Sequence, residues 1–221
     1  MYLPKETKIM KNLLGRFGCM SRTQFIYILK YGAGFTDAAI NVVIEGLKVR
    51  NEMIEITENM FIPSHQGKVE RSKICLLWVL IREVIDSTLD RCESDGTKVP
   101  FEQIMSDLDS TYPARSPIDF TYLNEGKSFD ITYLDYSSLN KAAFIERTLE
   151  KFRIHKDEPE VYLTSEIFIF ERTGNRERDE LIVEELHNMN LEIPYDVYLV
   201  EMGTSLENVP ELLLMKHSAM R

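Results

Sequence analysis

Apolar residues recur at Ile9, Met10, Leu13, Leu14 and Phe17, the spacing of an amphipathic helix over Lys5–Phe17. Gly18 is placed to end that helix in a left-handed conformation. Ser21 then reads as an N-cap, with Gln24 three residues on as its capping-box partner. Phe25, Ile26, Ile28 and Leu29 follow as the inward side of a short second helix, and Tyr31-Gly32-Ala33-Gly34 breaks it. A third helix opens at Thr36 or Asp37, with Ala39, Ile40, Val43, Ile44 and Leu47 as its apolar stripe. The pattern then turns from helical to alternating. Met53–Thr57 and Met60–Ile62 flank Glu58-Asn59, a strand–turn–strand.

After a polar stretch from Pro63 to Lys73, Ile74–Arg91 reads as a helix, apolar nearly all round at its start and amphipathic afterwards. A short helix is expected over Phe101–Leu108. A strand over Ile118–Leu123 turns at Asn124-Glu125-Gly126-Lys127 into a return strand over Ser128–Leu134. Ser137 caps a helix expected to run to Arg153, Ile167–Phe170 is a buried strand, Asn175–Asn190 an amphipathic helix and Tyr195–Val200 another strand. Val209–Met220 is expected to close the chain as a helix, with Pro210 in its first turn. Hairpin, then helix–strand–helix–strand, predicts an α/β (α+β) fold with a mixed sheet.

Composition adds little to this until charge is resolved by region. The 221-residue chain has 26 Lys+Arg against 36 Asp+Glu, a net charge of −10. That balance taken alone argues against nucleic acid as a partner. It is unevenly spread, however. Residues 1–73 hold eleven basic and seven acidic residues, a surplus of four, so the remainder stands at −14. Such asymmetry separates two domains, expected at residues 1–66 and 74–221. Cys19, Cys75 and Cys92 form no C-x-x-C pair, and His65, His155, His187 and His217 are scattered, so the expectation is no metal site and buried structural thiols. The longest apolar run, Ile74–Ile81, falls far short of the ~20 residues of a membrane span, and the start of the chain has no apolar leader. A cytoplasmic protein without membrane contact is expected.

Three short helices followed by a hairpin is the order of a winged helix, and the phrase from Asn41 to Ile62 resembles winged-helix domains of bacterial DNA-binding proteins. In that arrangement the third helix enters the major groove. The apolar stripe leaves Asp37, Ala38, Asn41, Val42, Glu45 and Lys48 outside it. Asn41 has the paired donor and acceptor that match adenine, and Arg22, Lys30, Lys48 and Arg50 are the candidates for backbone phosphates of double-stranded DNA. Asp37 and Glu45 oppose phosphate on the same helix. The competing reading is a solvated face on a winged helix that contacts protein.

The second domain resembles the PD-(D/E)XK nuclease-like core. Pro117-Ile118-Asp119 is similar to the P-D element with one residue inserted, and Asp130-Ile131-Thr132 to (D/E)-x-K with Thr in place of Lys. The pairing of a winged helix with a degenerate nuclease-like domain resembles the replication-relaxation-like family of bacterial mobile elements. That resemblance implies a non-enzymatic DNA-binding protein of a plasmid or conjugative element, acting in replication, mobilisation or regulation. It implies no cofactor, and a protein partner or a second copy for the acidic domain. Two alternatives stay open. One is a Mg²⁺-dependent DNA nuclease in which Asp119 and Asp130 hold the metal and Lys141 replaces the missing lysine. The other is a protein-interaction module that binds no nucleic acid.

Overall fold

The computed structural model describes residues 4–57, 59–65, 68–86, 112–113, 119–124, 127–133, 163–172, 174–188, 195–202, 205–206 and 208–217. The chain divides into two units, Met1–Pro113 with Gly203–Val209, and Ala114–Met202 with Pro210–Arg221.

The first unit opens with α1 (Lys5–Phe17), ended by Gly18 at φ 75°, whose N–H donates to the Leu14 carbonyl at 2.8 Å. A two-residue strand, β1 (Met20–Ser21), leads directly into α2 (Arg22–Tyr27), which continues as a π-helical turn over Ile28–Gly32. The expected capping box is present. The Gln24 N–H donates to Ser21 Oγ at 3.2 Å, and the Ser21 N–H donates to Gln24 Oε1 at 3.0 Å. Thr36 caps α3 (Asp37–Val49) through the Ala39 N–H. β2 (Met53–Thr57) and β3 (Met60–Pro63) form the hairpin, turning through Asn59 at φ 66°, a left-handed conformation that asparagine tolerates. The sheet order is β1-β3-β2, antiparallel throughout, so β2 is an edge. This is the strand arrangement of a winged helix, with the hairpin as the wing. Phe17, Phe25, Leu13, Leu29, Ile44, Leu47 and Phe61 fill the space between helices and sheet. Phe25 and Phe61 meet edge to face at 5.4 Å.

The next helix, α4 (Arg71–Ile81), passes into a second π turn over Arg82–Asp86. It was expected to head the second domain, but its polar and aromatic contacts tie it to the first unit. Gln24 Nε2 donates to the Ile74 carbonyl at 2.9 Å. The indole of Trp78 meets Tyr27 edge to face at 5.6 Å. Cys19 Sγ lies 3.4 Å from the Glu70 N–H, just before the helix. Ile74 through Ile81 are all buried. The reason is physical: a helix apolar all round has to be enclosed, and the winged unit presents the surface that encloses it. Cys19 and Cys75 are buried free thiols, as expected, and burial pushes the Cys19 thiol above its ordinary value. Cys92 lies outside the described residues.

The second unit is built on a mixed sheet of β4 (Asp119–Asn124), β5 (Lys127–Tyr133), β6 (Leu163–Glu171), β7 (Tyr195–Glu201) and β8 (Glu211–His217), adjacent in chain order. β4–β5 and β7–β8 pair antiparallel, while β5–β6 and β6–β7 are parallel. α5 (Arg176–Asn188) makes the crossover between β6 and β7 and buries Ile182 and Leu186 against Phe168, Phe170, Tyr195, Val197 and Leu199. The fold is thus α+β with a mixed sheet, as the pattern predicts. One element differs. The segment expected to close as a helix is instead strand β8. Leu212-Leu213-Leu214-Met215 is an apolar run that fits helix and strand alike, and the open edge of β7 decides it. The helices expected over Phe101–Leu108 and Ser137–Arg153 lie outside the described residues.

Candidate nucleic-acid interface

α3 carries the candidate surface, and its buried stripe of Ile40, Val43, Ile44 and Leu47 fixes which side chains face out. Asn41 and Lys48 lie on the flank beside α2 and the wing. Arg50 lies on the other flank, facing α1. Between them the outermost positions are Ala38, Val42, Glu45 and Val49, with Val42 73% and Val49 84% exposed.

On the wing flank, Arg22 and Asn41 come together. Arg22 Nη2 donates to Asn41 Oδ1 at 2.5 Å, joining the first turn of α2 to the first half of α3. The Arg22 backbone N–H also donates to the Asn59 carbonyl at 2.7 Å, so the start of α2 is tied to the wing turn. The bond to Arg22 orients the Asn41 carboxamide by its oxygen.

Lys48 is engaged by carboxylates on α3 and the wing. Its ammonium donates to Glu55 Oε2 at 2.5 Å, lies 3.4 Å from Glu45 Oε1, and sits 5.5 Å from the Phe61 ring centre. Glu55 Oε1 in turn accepts the Asn59 N–H at 2.9 Å. Lys48 is therefore a brace between α3 and the wing, with its charge already opposed by two carboxylates. The Glu55 hydrogen bond raises the Lys48 pKa, and the same bond, with the Asn59 N–H, holds Glu55 below the usual carboxylate range. The sign follows for each partner. Glu55 contributes fully above its unfolded value, and the contribution is lost as pH falls through the depressed one. Lys48 contributes fully below its unfolded value, and the contribution is lost as pH rises through the raised one. The brace is expected to hold across the neutral range and to open only in acid below the ordinary carboxylate range, or in alkali above the ordinary lysine range. A pH titration of the Asn59 amide resonance checks this: a transition near neutrality would contradict it.

Lys30 lies 3.6 Å from Asp37 Oδ1, both well exposed, a contact that contributes little. Arg50, at the C-terminal end of α3, lines an apolar groove between α1 and α3. The five candidates are thus split by the structure. Arg22 and Asn41 form one constellation, Lys48 braces the wing beside it, Lys30 is paired separately, and Arg50 belongs to the opposite flank. Pattern reading missed Glu55 as a brace, because a glutamate in an alternating strand looks like any solvated residue.

In the second unit the ladder pairs Asp119 with Thr132 and Thr121 with Asp130. Positions 119 and 130 therefore fall diagonally on one face of the sheet. The residue in the place of the motif lysine, Thr132, is buried, and its parallel neighbour in the ladder is Phe168, which belongs to the core beneath α5. Lys141 lies outside the described residues. Among the described residues no group of three His, Cys, Asp or Glu is placed to hold a metal, and no helix is long and apolar enough to cross a membrane. No known family model matches the chain, and no curated protein is significantly similar to it.

Proposed function

We propose that this is a non-enzymatic DNA-binding protein, of the kind carried by plasmids or conjugative elements, that grips duplex DNA with its winged helix and uses the acidic second unit for protein contact. One observation carries the reading. α3 has an open outer surface, and beside it Arg22 holds Asn41 by its carboxamide oxygen in the corner between α2 and the wing. An arginine serves a backbone phosphate and an oriented carboxamide serves a base edge. The second unit holds 12 basic and 20 acidic residues, and that balance of −8 makes it a poor surface for DNA and a better one for a protein.

Mobility shift of the full chain on duplex DNA tests this. Binding is expected at low ionic strength and is expected to weaken as salt rises. Arg22→Ala is expected to weaken it about 5- to 10-fold, the effect of roughly one charge-assisted contact. Absence of binding at 50 mM salt would remove the proposal.

A second reading draws on the apolar apex of α3. Val42 and Val49, together with Ile54 and Ile56 on the edge strand of the wing, are the kind of exposed apolar groups that a protein partner covers. A stable partner complex together with a flat DNA titration would favour it. The nuclease alternative rests on the shared face of positions 119 and 130, and Mg²⁺-dependent DNA cleavage abolished by Asp130→Asn would establish it.

A further inference from the structure

A carboxamide such as that of Asn41 has one acceptor atom, its oxygen, and one donor group, its amino nitrogen. In this fold the oxygen is already engaged. A guanidinium carries donors only, so the contact of 2.5 Å between Arg22 Nη2 and Asn41 sets Oδ1 toward Arg22 and leaves the amino group for other partners. Arg22 is itself held in place. It opens α2 directly behind the Ser21–Gln24 cap, and its backbone N–H donates to the Asn59 carbonyl on the wing turn at 2.7 Å. Asn41 is exposed, and its amino group has no partner among the described residues. The remaining N–H groups of the Arg22 guanidinium are donors as well. The acceptor one turn along α3, Glu45, lies 3.4 Å from Lys48 Nζ. The Arg22–Asn41 pair therefore offers donors to the outside, and its one acceptor is taken up within the pair.

We infer that Asn41 reads guanine, and that its bond to Arg22 disfavours adenine at the same position. The inference rests on the DNA reading proposed above and specifies its target. In the major groove adenine presents an acceptor at N7 and a donor at its N6 amino group, and its usual match is a carboxamide that gives its nitrogen to the first and its oxygen to the second. Here the N6 amino group would compete for Oδ1 with a guanidinium, and the charged donor makes the stronger bond. Guanine presents acceptors at both N7 and O6. It takes a hydrogen bond from the Asn41 amino group and needs no acceptor in return. Cytosine, whose groove edge is a donor, meets the same conflict as adenine, and thymine offers O4 alone. Asn41 thus touches the base. Arg22 acts on base choice through Asn41, as a positioning residue, and its remaining N–H groups are left for the phosphate backbone.

The test uses the full chain and a pool of DNA duplexes with a randomised core, from which bound duplexes are selected at low ionic strength and sequenced. The parent is expected to select guanine at a position where Asn41→Ala selects no base, with the rest of the site unchanged. On the selected duplex, adenine in place of that guanine is expected to weaken binding about tenfold, while hypoxanthine, which keeps N7 and O6, binds like guanine. Arg22→Ala separates positioning from loss of charge. It is expected to weaken binding to every duplex and, by freeing Oδ1, to bring adenine level with guanine at that one position. Loss of a phosphate contact alone would leave the ratio of the two bases untouched. The inference is overturned if the parent selects adenine at the position that Asn41→Ala erases, if Asn41→Ala erases no position, or if the guanine preference survives in Arg22→Ala. Duplexes bound with no base preferred overturn it too and leave the DNA reading standing, whereas failure to bind any duplex removes both. The base exchanges use the unaltered protein, so the test stays decisive even if a variant folds poorly.

Discussion

Phe61→Ala is expected to cost the first unit about 3–5 kcal/mol, the usual range for emptying a buried aromatic site. Phe61 lies on β3, the central strand of the small sheet, and is fully buried. Its ring meets that of Phe25 from α2 in a T-shaped contact and lies beside the Lys48 ammonium from α3. A single side chain thus joins the sheet to both α2 and α3. Alanine leaves a cavity that α2 and α3 cannot close together, because the capping box and the Lys48–Glu55 bond hold their ends in place. Phe61→Leu keeps most of the volume and is expected to cost less than about 1.5 kcal/mol. Urea unfolding followed by tryptophan fluorescence measures both, since Trp78, the only tryptophan, is buried in this unit. A loss under about 1 kcal/mol for the alanine variant would show that the framework does not depend on this contact.

The second large effect is expected at Gln24, which is fully buried although polar. Its carboxamide does two things at once. The oxygen accepts the Ser21 N–H and completes the cap of α2, while the nitrogen donates to the Ile74 carbonyl on α4. Gln24→Leu preserves volume but leaves the buried Ser21 N–H without its acceptor and removes the tie to α4. The expected loss is about 2–4 kcal/mol, from one cap and one orphaned donor. Ser21→Ala removes the other half of the box only and is expected to cost about 1 kcal/mol. Hydrogen exchange separates the two roles. Gln24→Leu is expected to speed exchange in both α2 and α4, Ser21→Ala in α2 alone. Equal protection of α4 in the two variants would mean that the bond to Ile74 contributes nothing.

Much of this framework was legible in the pattern of the chain because the devices involved are local. The Ser21/Gln24 box, the Gly18 stop, the Thr36 cap and the turn at Asn59 each act within a few residues, and each stands where the spacing puts it. What the pattern did not show is set by contacts distant in sequence. α4 reads as a core helix, but which core it joins depends on a bond across fifty residues, from Gln24 to Ile74. β8 reads as a helix because a run of leucines carries no period, and only the edge of β7 assigns it. At the site, Lys48 reads as a candidate for a backbone phosphate, and the Glu55 that pairs with it is brought near only by the fold. The wing adds a subtler lesson. In Met53–Thr57 the alternation is real, but its apolar pair Ile54 and Ile56 faces outward, and Met53 alone is buried. Alternation defines two faces of a strand without saying which one is covered.

The Lys48 brace has a thermodynamic consequence for any complex that α3 forms. A cation that already has two carboxylate neighbours neutralises a phosphate poorly and so displaces few of the counterions condensed on DNA, and Lys30 is likewise accompanied by Asp37. Each phosphate neutralised contributes a slope of about −0.9 to the logarithmic dependence of affinity on salt. With Arg22 as the main contributor at this corner, the slope is expected to be shallow. The driving force would then come from dehydrating Val42, Val49, Ile54 and Ile56, and calorimetry would record it as a negative heat-capacity change on association.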